Sequence, residues 1–288
     1  MELLKIEGLC KKYEKFELKN VSFSLESGYI MGFIGRNGAG KTTTLKSMLN
    51  LVHKDGGRVS VCGMDFDAQE FDCKQKIGFV LGGVDYYPHA KLKTITDVTK
   101  RFYSQWDEQE YQACVKRFEL DTDKRVDQLS AGMRVKYSLA LALSHNAQLL
   151  VLDEPTSGLD PVSRDDLLGL FSEIIEDGSH SILFSTHITS DLEKCADFIT
   201  YIKGGEILDS TEKDEFKDKY RLVSGKKEQL SPALSAKLIG CREHKFGFEA
   251  MINARDEAEC SSAGLELSSA DLEEIMIHIE RGNHDADE

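Results

Sequence analysis

The stretch GRNGAGKT, residues 35–42 of the 288-residue chain, fits the spacing G-x-x-x-x-G-K-[ST]. Its glycines let backbone N–H groups converge on phosphate oxygens, where a Cβ would obstruct them. Lys41 can reach the terminal phosphates, and the Thr42 hydroxyl can join the shell of a Mg²⁺ ion. LLVLDEP then sets two acids side by side. Asp153 suits the metal by its charge, and Glu154 suits an attacking water as general base. ILFSTH ends on His187, which can donate to a terminal phosphate or to that water. Taken alone, an Asp-Glu pair also serves as a helix cap and a strand-end histidine as an ordinary loop residue. Together the three stretches describe phosphoryl transfer from a polyphosphate to water.

LSAGM, residues 129–133, has neither acid nor metal ligand. Ser130 offers a hydroxyl, Gly132 permits close backbone approach, and a strongly helical run follows, so its N-terminus can face an anion. By itself the segment reads equally as a serine N-cap with a flexible glycine.

These groups need a scaffold of strand ends and helix starts. LLKIEGL, VSFSL and YIMGFI read as short strands, and the third runs into the glycine loop and the helical KTTTLKSMLNLV. From about Tyr86 to Asp127, ITDVTKRFYSQW and DEQEYQACVKRFEL read as amphipathic helices without intervening strands. Alternation then resumes: helix MRVKYSLALALS, strand AQLLVLD, helix RDDLLGLFSEIIED stopped at Gly178, strand SILFST. Short apolar runs separated by helices predict a mostly parallel sheet covered on both faces, with ligands at the carboxyl ends of its strands. After Tyr220 the composition shifts. A strand, KFGFEAMI, and a last helix with Leu272, Ile275, Met276 and Ile279 on one face and Gly282 as C-cap predict a small accessory α+β domain.

Composition narrows the function classes. A formal charge of −14 disfavours nonspecific nucleic-acid binding. Seven cysteines, odd in number and without a CxxC pair, fit reduced thiols better than disulfides or a zinc site. The N-terminal residues mix charges into each apolar run, unlike a signal peptide, and the longest apolar stretches are too short to span a membrane. The expectation is a polypeptide soluble by itself.

With these motifs in order, the chain resembles the nucleotide-binding subunit of ATP-binding cassette (ABC) transporters over about residues 1–220. GRNGAGKT is similar to the Walker A loop, LSAGM to the signature loop and LLVLDEP to the Walker B strand. SGLD, Ser157 to Asp160, is similar to the D-loop, His187 to the switch histidine, and Tyr13 stands where the family keeps an aromatic that stacks on adenine. The resemblance implies an α/β P-loop NTPase (RecA-like) core with an N-terminal antiparallel β subdomain. It implies an ATP-binding domain over 1–219, with a helical insertion at about 86–134, and an accessory domain over 220–288. It implies ATP and Mg²⁺ as ligands. Tyr13, Gly35, Arg36, Asn37, Gly38, Ala39, Gly40, Lys41, Thr42 and Thr43 would hold the nucleotide, Thr42 and Asp153 the metal, and Glu154, His187 and Lys41 would act in catalysis.

In that family two such subunits pack head to tail around two ATP molecules. Ser130 and Gly132 would therefore cap the nucleotide of the partner, a second copy or a close paralogue, and Asp160 would couple the two sites. A separate transmembrane permease would convert closing and opening into transport, placing this chain on the cytoplasmic face of the membrane without contact to cargo or nucleic acid. As a nucleotide-binding chain with an appended C-terminal domain, the protein is similar to subunits of export-type systems, including those moving antimicrobial or cytolytic peptides. Two other readings are a regulatory module that binds ATP without useful hydrolysis, which Gly82 supports and Glu154 opposes, and a soluble ABC ATPase of translation, repair or assembly. Translation members usually join two cassettes in one chain and repair members insert a long coiled coil, and neither feature occurs here. Two positions depart from the family pattern: Ala131 replaces a signature glycine, and Gly82 stands where Gln or Glu is usual, with Asp85 nearby.

Overall fold

The computed structural model describes residues 2–81 and 87–282, so Gly82, Asp85 and Tyr86 lie outside the described residues. The chain divides into two compact units, Met1–Ser210 and Thr211–Glu288. The division precedes the composition shift at 220 because helix α8 (Lys213–Asp218) packs on the strand that follows it. Its Phe216 is fully buried and meets the Tyr220 ring edge-on at 5.8 Å.

The first unit opens with β1 (Glu2–Lys12), β2 (Glu17–Glu26) and β3 (Ile30–Ile34). Along β2, Leu18, Val21, Phe23 and Leu25 are buried while most residues between them are exposed, the pattern of a half-buried strand. β4 (Gly56–Val61) and β5 (Met64–Asp65) join β1 and β2 in an antiparallel sheet of order β2-β1-β4-β5. The remaining strands are β6 (Ile77–Leu81), β7 (Leu149–Asp153), β8 (Ser181–Thr186), β9 (Phe198–Lys203) and β10 (Glu206–Glu212). With β3 they form a sheet of order β10-β9-β3-β8-β7-β6, in which β9, β3, β8, β7 and β6 are parallel. β3, β7 and β8 are buried at every residue, as strands covered on both faces must be.

Helix α1 (Lys41–Met48) touches β1, β2 and β7. Its Leu45 and Met48 join one apolar core with Phe23 and Phe33 of the two sheets, whose rings lie 5.4 Å apart. The loop that precedes α1 is thereby fixed from both sides. α2 (Glu70–Gln75), α6 (Pro161–Ile175) and α7 (Thr189–Cys195) complete the α/β alternation. The helical segment expected at about 86–134 contains α3 (Leu92–Thr99), α4 (Glu108–Arg117) and the start of α5 (Ala131–Ser144). α3 ends earlier than its amphipathic pattern suggests. The chain turns to place Asp107 as the cap of α4, where its carboxylate accepts from Gln109 N at 2.7 Å and Glu110 N at 3.1 Å. A buried hydroxyl cluster ties these helices: Thr96 Oγ1 lies 2.8 Å from Tyr111 OH and 2.9 Å from Tyr137 OH.

The second unit continues from α8 with β11 (Tyr220–Gly225), α9 (Pro232–Ser235), β12 (Ile239–His244), β13 (Gly247–Asn253), α10 (Glu257–Ser262), β14 (Glu266–Ser269) and α11 (Leu272–Arg281). Its antiparallel sheet has the order β12-β13-β11-β14, a split β-α-β arrangement. Val223, Phe248, Ala250 and Ile252 form a core with Leu234 and Cys260 on one face, and α11 packs on β12 and β13. The buried stripe of α11 is Leu272, Ile275 and His278, with Met276 and Ile279 only half-buried. His278 does not belong to the apolar face expected from sequence, and its ring is held by a backbone carbonyl. Gly282 ends the helix in a right-handed conformation, so its special freedom is unused there. All seven cysteines are free. Among the described residues no helix is long and apolar enough to cross a membrane.

Candidate functional site

β3 delivers the chain into the glycine loop under tight backbone packing. A Cβ at Gly35 would lie 2.3 Å from Ile202 O, and one at Gly40 would lie 2.8 Å from both Phe16 Cζ and Leu18 Cδ2. Gly40 also has φ +119° at the N-cap of α1, a conformation side chains rarely adopt. Both glycines are therefore fixed by the cradle itself. Arg36, Asn37 and Gly38 form its exposed outer turn, Ala39 is buried beneath it, and Thr43 is half-buried on α1. The Lys41 side chain is buried. Its Nζ donates to Gly35 O at 2.8 Å and lies 3.3 Å from Glu154 Oε1.

The acids arrive on the neighbouring parallel strands. Register pairs Asp153 at the end of β7 with Ser185 of β8. Ser185 Oγ donates to Asp153 Oδ1 at 2.6 Å, and Thr42 Oγ1 donates to the same oxygen at 3.1 Å. Glu154 follows with φ +51°, uncommon for a residue with a side chain. Its N–H donates to Ser185 Oγ at 3.0 Å and to Ser185 O at 3.1 Å, which holds the turn. The turn aims the carboxylate back at the loop, where Oε2 lies 2.8 Å from His187 Nδ1. Lys41, Thr42, Asp153, Glu154 and His187, scattered over 147 residues of sequence, thus meet in one polar cluster.

Beside the cluster lies a cleft of about 680 Å³. It is lined by Arg36, Asn37, Gly38, Gly40, Lys41, Thr42, Thr43, Glu154 and His187, and also by Tyr13, Lys15, Phe16 and Ser157. Tyr13 is 44 % exposed, its N–H donates to Phe16 O at 2.7 Å, and Lys11 Nζ sits 5.4 Å from its ring centroid. An aromatic face at the cleft mouth and cations along its floor suit a base and a polyphosphate respectively. The neighbouring Thr42 hydroxyl and Asp153 carboxylate are hard oxygen donors, the set Mg²⁺ takes together with phosphate and water.

Ser130, Gly132 and Asp160 do not line this cleft. Ser130 is the N-cap of α5, its Oγ accepting from Met133 N at 3.2 Å, and Asp160 is the N-cap of α6, accepting from Val162 N at 3.0 Å and Ser163 N at 3.1 Å. The Ser163 hydroxyl and these amides hold the Asp160 carboxyl below its usual range. A Cβ on Gly132 would lie 3.6 Å from Leu159 Cδ2 and 4.0 Å from Ser163 Cβ. The signature-like loop and the SGLD turn are therefore neighbours on one surface of the unit.

Two supporting residues were not singled out from sequence. Ser185 joins the two acids, as described. Asp191, fully buried on α7, accepts from Thr156 Oγ1 at 2.6 Å and lies 3.8 Å from Arg164 Nε, tying the turn after Glu154 to the element after His187.

Comparison with known proteins agrees with this arrangement. A sequence profile of the family "ABC transporter" matches residues 18–157. The chain is 27 % identical over 264 residues to the ABC transporter ATP-binding protein YtrB of Bacillus subtilis (strain 168), covering 91 % of this chain and 90 % of YtrB. It is 32 % identical over 219 residues to the linearmycin resistance ATP-binding protein LnrL of the same organism, covering 72 % of this chain and 68 % of LnrL. A solved ATP-binding subunit of an ABC transporter superposes with a TM-score of 0.67 at 25 % identity, covering 75 % of this chain and 92 % of that one. A phosphate cradle between two sheets, acids on adjoining parallel strand ends and these likenesses lead to one family: the chain belongs to the ABC transporter ATP-binding proteins and is an ATPase of that type.

Proposed function

We propose that this chain binds MgATP in the cleft beside Lys41, pairs through the Ser130–Gly132 and Asp160 surface with a second such subunit, and energises a separate transmembrane permease. Lys41 and the loop amides hold the β and γ phosphates. Thr42 and Asp153 hold Mg²⁺, which supplies charge neutralisation at the phosphates when bound. Glu154 takes a proton from the attacking water, and His187 orients Glu154 and donates toward the γ phosphate. Tyr13 stacks on the base. The partner is a second copy of this chain or a close paralogue, and no nucleic acid or cargo is bound by this subunit.

The observation that carries the reading is the separation of two half-sites within one chain. The cleft gathers the phosphate and base groups, whereas Ser130, Gly132 and Asp160 gather elsewhere. A nucleotide bound in the cleft leaves the second set idle unless another subunit presents its own copy. Export is the favoured direction because LnrL is a resistance protein by name. The permease places the chain at the cytoplasmic face of the membrane.

Glu154→Gln is the test. ATP affinity should stay near that of the parent, hydrolysis should fall at least about a hundredfold, and the MgATP-loaded variant should run as a dimer by light scattering. Near-normal turnover would remove Glu154 as the base. A strictly monomeric loaded variant, alone and in membranes containing the permease, would remove the shared-nucleotide reading.

A further inference from the structure

The second unit contains a pocket of about 340 Å³ that the ATPase chemistry leaves unused. Sheet register lays out its floor. Arg242 of β12 pairs with Glu249 of β13, Glu249 with Ser224 of β11, and Ser224 with Glu266 of β14, so one row of side chains crosses all four strands. Two residues along β13, β11 and β14, and three along β12 where its register shifts, Met251, Leu222, Ser268 and Ile239 form the next row. α11 roofs the β12–β13 side of this face, and Met251 is completely buried. The polar row is left open beside the helix, with Glu274, Ile277 and His278 as the wall.

The charged groups of the row are exposed at the pocket floor. Among the described residues Arg242, Glu249 and Glu266 take part in no ion pair, although Arg242 and Glu249 are register partners. His278 is only 7 % exposed. Its Nδ1 faces Gly240 O at 2.9 Å, and a carbonyl can only accept, so Nδ1 is the donor and Nε2 is left with a lone pair toward the pocket, without a protein partner among the described residues. Gly240, at φ +57°, secures this close approach: a Cβ there would lie 2.4 Å from His278 O. Nε2 is not sealed from solvent, so a donor that enters the pocket can reach it.

We infer that this pocket binds a small amphoteric molecule of amino-acid to dipeptide size, its carboxylate on Arg242 and its cationic nitrogens on Glu249 and Glu266 with a donor to His278. One guanidinium against three carboxylates, Glu274 included, makes the pocket acidic overall and selects a ligand richer in cationic than anionic groups. The volume lies at the low end of the about 300–1,000 Å³ common for small-ligand sites. Residues 283–288, NHDADE, carry three acids and no Lys or Arg, the wrong charge for this floor.

The test is calorimetry on the full chain at neutral pH with L-lysine, putrescine and acetate as probes. L-lysine should bind with one-to-one stoichiometry, putrescine more weakly, and acetate not at all. Arg242→Ala should weaken L-lysine at least about tenfold while sparing putrescine, and a Glu249→Gln/Glu266→Gln double variant should weaken both. MgATP binding, measured in the same samples, should not change, so a failure here is separable from a failure of the nucleotide reading. Absence of heat from L-lysine and putrescine at millimolar concentration overturns the inference. So does binding indifferent to these variants, binding that appears only when the chain is cut after Gly282, or self-association through this face that Arg242→Ala abolishes.

Discussion

Ser185→Ala isolates a group that does no chemistry yet touches both acids. Its hydroxyl is completely buried, donates to Asp153 Oδ1 at 2.6 Å and accepts from Glu154 N at 3.0 Å. The substitution leaves the Asp153 oxygen with Thr42 at 3.1 Å, and leaves the Glu154 amide with the Ser185 carbonyl at 3.1 Å. The amide is thus still satisfied, and the main loss is one hydrogen bond to a charged group, about 1.5–3 kcal/mol. For the unit Met1–Ser210, a loss of about 2 kcal/mol lowers the melting temperature by roughly 4–8 °C. A second effect falls on turnover. Holding a side-chain-bearing residue in the left-handed region costs about 1–3 kcal/mol, and Glu154 stays at φ +51° because the Ser185 contacts fix its amide. With one contact gone the turn relaxes and its carboxylate drifts from His187 and Lys41. Steady-state kinetics should show kcat reduced and KM for ATP nearly unchanged, since the cradle that holds the phosphates is untouched. Thermal unfolding and kinetics on the same preparation check both effects. A melting temperature and kcat equal to the parent's would refute the positioning role.

Two further outcomes follow from buried groups. Asp191→Asn keeps the shape but removes the charge facing Arg164 of α6, whose Nε is buried without a hydrogen bond among the described residues; it should cost about 2 kcal/mol in urea unfolding and lower kcat. His145, stacked on Tyr103 at 3.7 Å, is pushed by burial from an ordinary value near 6.5 down to about 4. The unfolded chain therefore takes the proton first, so stability is intact above about pH 6.5 and falls toward pH 4, by about 2 kcal/mol between about pH 7 and pH 5. His145→Phe keeps the stack and should flatten that slope in urea unfolding at the two pH values.

The polar cluster beside the cleft was legible in the sequence because its signals are local. GRNGAGKT carries its own strand, loop and helix context, and LLVLDEP and ILFSTH end in the polar residues they deliver to the sheet edge. What escaped was long-range and ordinary in residue type. Ser185 acts on residues 31 and 32 positions away and Asp191 on one 35 away, and neither type nor spacing distinguishes them. The strands β6 and β9 show no alternation, since both faces of the sheet are covered, and α11 reads as a simple apolar stripe although a histidine ends its buried face. Ser130 and Asp160 are a different case. Both are helix caps in the folded chain, which accounts for their residue types without a partner, so their second role rests on where they gather.

On the proposed mechanism the contacts of Glu154 tie base activation to nucleotide binding. Its two oxygens are divided between Lys41 at 3.3 Å and His187 at 2.8 Å, so neither oxygen is without a partner. Lys41 is nearly buried, and at such a site a charge must keep a partner. A triphosphate entering the cleft offers that lysine several anionic oxygens in place of one carboxylate, and the ammonium can change partners without ever being left alone. Glu154 then keeps only His187, which fixes its direction, and gains the free oxygen that a water requires. On the proposed mechanism the lysine that recognises the phosphates is therefore also the latch on the base, and idle hydrolytic capacity is suppressed by the same contact that ATP must break.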